Sequence, residues 1–182
     1  MYKEVENFLS EKNIKFINDV ILNYKFPFYH QTSSCFDNNN QPDNRCFLSH
    51  VILRRIEQRK ENELRYDSIY YPEVLDILNS FFKKIKIKPK KYLRIAINYS
   101  YNNGYRKSGV HLDHPEIEHK QVIIYLNDCL DKSAGTVILD KNKKVIKKVF
   151  IKKYKAILFG NDLHYQYFPK KGHRLILVCT FI

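Results

Sequence analysis

His111, Asp113 and His164 are the side chains in this sequence best suited to chemistry. Two imidazoles and one carboxylate in the order His-x-Asp…His can occupy one face of an octahedral ion. The opposite face stays open for a co-substrate and oxygen. Neutral nitrogen with a hard carboxylate, and no thiolate to select zinc, suits a non-haem ferrous centre. On an extended segment residues two apart point the same way, so His111 and Asp113 can reach one ion. A nearby divalent charge favours the ionised form of Asp113. An H-x-D pair alone recurs by chance, and the order of the surrounding residues is what strengthens it. Strand-like sequence precedes the pair and fills the gap to His164. Arg174 follows ten positions after His164 at the head of the last apolar run. A guanidinium there can grip a carboxylate through two parallel hydrogen bonds.

Positioning these side chains requires strands. From residue 92 onward the sequence predicts short β segments at 93–101, 121–127, 136–139, 144–151, 156–159 and 174–182, with His164 opening one more. Each is rich in β-branched or aromatic residues, and Asn103-Gly104, Ala134-Gly135, Gly160-Asn161-Asp162 and Pro169-Lys-Lys-Gly172 divide them. Many short strands with polar turns imply a mainly β fold with flanking helices, a double-sheet jelly roll. The run 175–182 is apolar throughout and reads as a buried central strand. Helices are predicted over 2–12, from Tyr2, Val5, Phe8 and Leu9, and over 71–84, which opens with Pro72 and closes with Lys83 and Lys84. They are expected to pack on one outer face. Residues 47–53 read as a further strand. The stretch from Cys35 to Arg45, rich in Asn and Asp, is a loop, either an ordinary surface loop or a lid. Without repeats or Gly-Ser linkers, 1–182 reads as a single domain, with 1–91 a helical elaboration and 92–182 the core that carries the metal site.

The 182 residues are 44% hydrophobic and 14% aromatic, enough for a sizeable core and unlike a disordered chain. No apolar run approaches the ~20 residues of a membrane span. The N-terminus lacks the charged-then-apolar layout of a secretory signal, so a cytoplasmic address is expected. Cys35, Cys46, Cys129 and Cys179 are scattered with no C-x-x-C pair, and read as free thiols. The net charge of +13 admits two explanations. Lys outnumbers Arg roughly three to one beside abundant Ile, Asn and Tyr, the signature of A/T-rich codons. The alternative is a functional basic surface for nucleic acid.

With these motifs in hand, the chain resembles the Fe(II)/2-oxoglutarate-dependent dioxygenases, particularly the prolyl-hydroxylase-like branch. The resemblance covers residues 93–182 and rests on several motifs. These are His111-Leu-Asp113, Val122-Ile-Ile-Tyr-Leu-Asn127, Ala134-Gly135-Thr136, Ala156-Ile-Leu-Phe159, His164 and Arg174. Phe26-Pro-Phe-Tyr-His30 resembles small viral and bacterial members more weakly. The resemblance implies a double-stranded β-helix that holds Fe(II) through His111, Asp113 and His164. Arg174 would bind the distal carboxylate of 2-oxoglutarate. Tyr125 would assist there, and Tyr101, or its rival Tyr99, would lie near the co-substrate. For each tyrosine the plain alternative is a core aromatic with a satisfied hydroxyl. The implied activity consumes O2 and 2-oxoglutarate, releases succinate and CO2, and hydroxylates an unactivated C–H bond of a peptide, prolyl by preference, or of a small molecule. A carboxylate at 113 favours hydroxylation, because related halogenases carry a small residue there. His114 reads as either a group orienting Asp113 or an exposed turn residue, and His30, His50, His119 and His173 as structural or surface. A nucleic-acid-directed demethylase is the second reading. Members of that kind carry another Arg six residues after the co-substrate Arg, where this chain has Thr180. A non-enzymatic jelly-roll binding module is the third.

Overall fold

A computed structural model describes residues 1–35, 42–59 and 66–182. Its elements run in chain order. Strand β1 (Tyr2–Val5) precedes helix α1 (Glu11–Phe16), which continues into a π-helical turn (Ile17–Ile21). Strands β2 (Tyr29–Gln31) and β3 (Phe47–Leu53), a 3-10 turn (Ile56–Gln58) and helix α2 (Tyr71–Ile85) complete the N-terminal half. Then come β4 (Tyr92–Tyr101), β5 (Lys120–Tyr125), β6 (Gly135–Leu139), β7 (Val145–Phe150), β8 (Ala156–Phe159), β9 (Leu163–Tyr167) and β10 (His173–Phe181).

Seven strands form one antiparallel sheet in the order β1-β8-β5-β10-β4-β3-β2, and three form a second in the order β7-β6-β9. Strand alternation sorts the larger sheet's side chains into two cores. On one face Ile95, Ile97, Val122, Ile124, Leu175 and Leu177 pack with Val74, Ile77, Leu78 and Phe81 of α2. On the other Ala96, Ile123, Tyr125, Ile176 and Val178 meet Ile138 and Val149 of the smaller sheet. Both faces are covered, so the middles of β5 (122–125) and β10 (175–179) are continuously apolar rather than alternating. Gly135 is required by the smaller sheet's packing, because a Cβ there would stand 2.1 Å from the Val149 carbonyl oxygen.

Two expectations change. Residues 2–12 were expected to be one helix; instead Tyr2–Val5 extends along the otherwise open edge of β8, Tyr2 opposite Phe159 and Val5 opposite Ala156. The helix starts only at Ser10, whose side chain and that of Asn13 form a reciprocal capping box. The apolar residues at helical spacing serve a strand and a loop: Val5 packs on the core, and Phe8 meets the Phe81 ring edge-on at 5.4 Å. The N-terminal half is also more than helical, since β1, β2 and β3 belong to the large sheet. The predicted loop from Cys35 to Arg45 lies outside the described residues over 36–41.

Candidate metal centre

The two histidines face each other through the backbone. His111 N–H donates to the His164 carbonyl and His164 N–H to that of His111, both at 3.0 Å. This antiparallel bridge extends the smaller sheet beyond β9 and fixes both side chains on one side, with ring centroids 4.4 Å apart. Asp113 sits at a bend just past the bridge. Donor atoms of His111, Asp113 and His164 all lie within 4.8 Å of one another. An ion about 2.1 Å from three neighbouring donors spaces them by about 3 Å, a difference that modest side-chain rotation covers.

Hydrogen bonds prepare each donor. Nδ1 of His111 lies 3.1 Å from the Gly109 carbonyl, and Nδ1 of His164 lies 3.2 Å from that of Asp162. A carbonyl only accepts, so Nδ1 carries a proton in each ring and Nε2 is the atom turned toward a cation. Burial, then the neighbouring His111, pushes the His164 pKa down to about 4, which keeps the ring neutral near pH 7. Asp113 Oδ1 accepts from Arg55 Nη2 at 3.0 Å and Arg94 Nη1 at 3.1 Å, and Arg55 also donates to the Asp113 backbone carbonyl. Oδ2 is left facing His164 Nε2 at 3.6 Å. Burial would raise the Asp113 pKa, but Arg55, with His164, Arg94 and His111 behind it, outweighs burial and holds the group far below the carboxylate range. One oxygen is therefore anchored and ionised while the other is presented to a metal.

Arg174 lies in the same cavity of about 880 Å³. It is 2% exposed. It donates to Gln166 Oε1 and, at 2.9 Å, to Thr136 Oγ1. Its buried Nε has no hydrogen-bond partner, and no carboxylate pairs with it among the described residues. A buried cation without a counter-charge is costly, and an incoming anion relieves that cost. Tyr125 Oη also donates to Thr136 Oγ1, at 2.9 Å, with the Tyr125 ring 5.6 Å from the guanidinium carbon. Thr136 thus accepts twice, and its own proton remains to donate to such an anion. These residues fit a ferrous ion and a dicarboxylate together.

Tyr125 therefore meets both Thr136 and the Arg174 guanidinium. Tyr99 and Tyr101 require correction. Inward positions on β4 are the even-numbered ones, such as Asn98, which lines the cavity. Tyr99 packs instead with the helix-side core and stacks on His173 at 4.8 Å. Tyr101 neighbours Tyr99 and Cys46. His114 is fully buried, bridging Glu57 at 2.6 Å and Thr180 at 2.7 Å. His50 is a core residue bonded to Pro27 and Ser68, and His119 bonds the Ile117 carbonyl. Sequence reasoning missed Arg55, Arg94, Thr136 and Gln166. Period-two alternation from His164 points to Gln166, and the Gly135-Thr136 motif already contained Thr136. Nothing local marks Arg55, which immediately precedes the 3-10 turn.

No family model and no curated protein matches the chain. Solved structures do. A 2OG-Fe(II) oxygenase family oxidoreductase from Burkholderia pseudomallei superposes with TM-score 0.68 at 16% identity, over 99% of this chain and 84% of that one. A Trichoplax adhaerens prolyl hydroxylase, solved with a hypoxia inducible factor oxygen degradation domain peptide fragment, gives 0.63 at 16% identity over 100% and 83%. A Pseudomonas putida prolyl-4-hydroxylase gives 0.59 at 10% identity over 99% and 91%. The chain has the fold of the 2OG-Fe(II) oxygenases, prolyl hydroxylases among them.

Proposed function

We propose that this protein is an Fe(II)- and 2-oxoglutarate-dependent dioxygenase that hydroxylates an unactivated C–H bond in a peptidyl, preferably prolyl, or small-molecule substrate. The observation that carries the reading is the pairing of a three-donor cluster with a buried, anion-seeking Arg174 in one cavity. We read the two sheets as a double-stranded β-helix and residues 1–182 as one domain. When bound, iron and 2-oxoglutarate supply an O2-dependent oxidation that releases succinate and CO2.

The chain's own residues do the rest. His111 and His164 turn Nε2 toward the cluster, because backbone carbonyls accept from their Nδ1 N–H groups. Arg55 and Arg94 keep Asp113 ionised and orient its free oxygen. Arg174 and the Thr136 hydroxyl bind the distal carboxylate, and Tyr125 fixes Thr136. Four free cysteines suit a reducing, cytoplasmic address. No described helix is long and apolar enough to cross a membrane. Iron-dependent succinate formation from 2-oxoglutarate tests the reading. His111→Ala and His164→Ala should each reduce it to background, and turnover retained in either variant would remove that residue from the site.

A nucleic-acid-directed oxygenase is a second reading, favoured by two observations. Arg106, Lys107 and Lys148 lie over the rings of Tyr165 and Tyr167 on the smaller sheet. Thr180 pairs directly with Arg94 on β4, so a guanidinium does stand beside that position. The absence of turnover would leave a binding module.

A further inference from the structure

The cavity floor is the inward face of β4, β10 and β5, and strand register segregates its chemistry. Arg174 and Ser100 form one polar end. Ile176, Val178 and Ile123 make an apolar middle. Arg94, Thr180 and Gln121 lie side by side at the other end. Six strand positions separate Arg174 from Thr180, about 20 Å of backbone. Only the first end is absorbed by the co-substrate site.

The second end has unspent donors. Arg94 gives one N–H to Asp113, and its others make no hydrogen bond to the described residues. Gln121 is 2% exposed and lines the cavity, yet its amide bonds to none of them either. Arg55 and Arg94 converge on the same Asp113 oxygen, so two cations share one counter-charge. The cavity holds three guanidiniums (Arg55, Arg94, Arg174) against two carboxylates (Glu57 and Asp113). A ferrous ion and dianionic 2-oxoglutarate cancel, leaving one uncompensated positive charge at the Arg94 end. That matches a monoanion rather than a phosphate dianion.

Resting on the function proposed above, we propose that Arg94 and Gln121 form a second carboxylate site, and that the substrate carries a carboxylate beside the C–H bond to be oxidised. The guanidinium fork takes both carboxylate oxygens, and the Gln121 amide adds a third donor. The carboxylate belongs either to an acidic peptide side chain or to a small free acid.

Calorimetry on the full-length protein loaded with Mn(II) and 2-oxoglutarate under anaerobic conditions tests this. The probes are N-acetylproline and acetyl-Pro-Glu-amide, their uncharged counterparts N-acetylprolinamide and acetyl-Pro-Gln-amide, and a short single-stranded oligonucleotide. At least one acid should bind about tenfold more tightly than its amide, and the acid that does so identifies the source. Arg94→Gln should abolish the preference and Arg94→Lys should keep part of it. Because Arg94 also holds Asp113, the control is Gln121→Leu, which should weaken the preference while binding 2-oxoglutarate within about twofold of wild type. The same variant serves if Arg94→Gln does not fold. Equal binding of acid and amide, no acid binding up to about 10 mM, a preference that survives Arg94→Gln, or Arg94-dependent binding of the oligonucleotide alone would each overturn the inference. A folded wild type that takes up neither Mn(II) nor 2-oxoglutarate would instead overturn the underlying function.

Discussion

At the scale of single residues, the site divides labour between candidate ligands and the groups that hold them. Arg174 is the clearest case, because it is buried with no acidic partner among the described residues and one orphaned N–H. Arg174→Ala should weaken 2-oxoglutarate binding by about 100-fold, the scale of a lost charge-assisted pair. Mn(II) affinity measured without co-substrate should change little, and unchanged 2-oxoglutarate affinity would defeat the assignment. The three side chains that converge were legible in sequence because metal chemistry restricts residue type and order. Arg55 and Arg94 were not, because their contacts depend on the β3–β4 pairing and on Arg55, just after β3, reaching Asp113 across 58 residues. Tyr99 and Tyr101 were misplaced because spacing from His111 does not reveal which face of β4 they share.

At the scale of elements, β3 and β8 coincide with the sequence expectation, and β4 and β10 start within a residue of it. Strong turn residues close β4 (Asn102-Asn103-Gly104) and β8 (Gly160-Asn161-Asp162). Strand β2 escaped notice because three half-solvated residues, Tyr29–Gln31, have no period to read. Strand β1 was mistaken for helix because only the edge of β8 decides its conformation. Helix α2 was read correctly from Val74, Leu78, Phe81 and Phe82, which it buries against the strands that carry the site's inward residues on their other face. Phe81 is 0% exposed. Phe81→Ala should therefore cost about 3–5 kcal/mol in urea unfolding, and a loss below about 1 kcal/mol would mean α2 is not anchored as described.

At the scale of the whole molecule, buried histidines set a common pH response. Burial lowers the pKa of His50 and His114, and that of His164 to about 4 from 6.5. Below about pH 6.5 the unfolded chain binds protons that the folded chain refuses, so stability is full above that pH and falls as pH drops towards 4. His164 alone accounts for roughly 3 kcal/mol of this in metal-free protein. The urea midpoint of metal-free protein should fall between pH 7.5 and 5. A constant or rising midpoint would contradict the neutral, buried state of these three rings, His164 among them.

The central claim is that one cavity holds a ferrous ion and 2-oxoglutarate side by side. Anaerobic addition of Fe(II) and then 2-oxoglutarate to the purified protein tests it most directly. The account predicts a weak visible charge-transfer absorption that needs both additions and is missing from His164→Ala. Folded wild-type protein that develops no such absorption would contradict it.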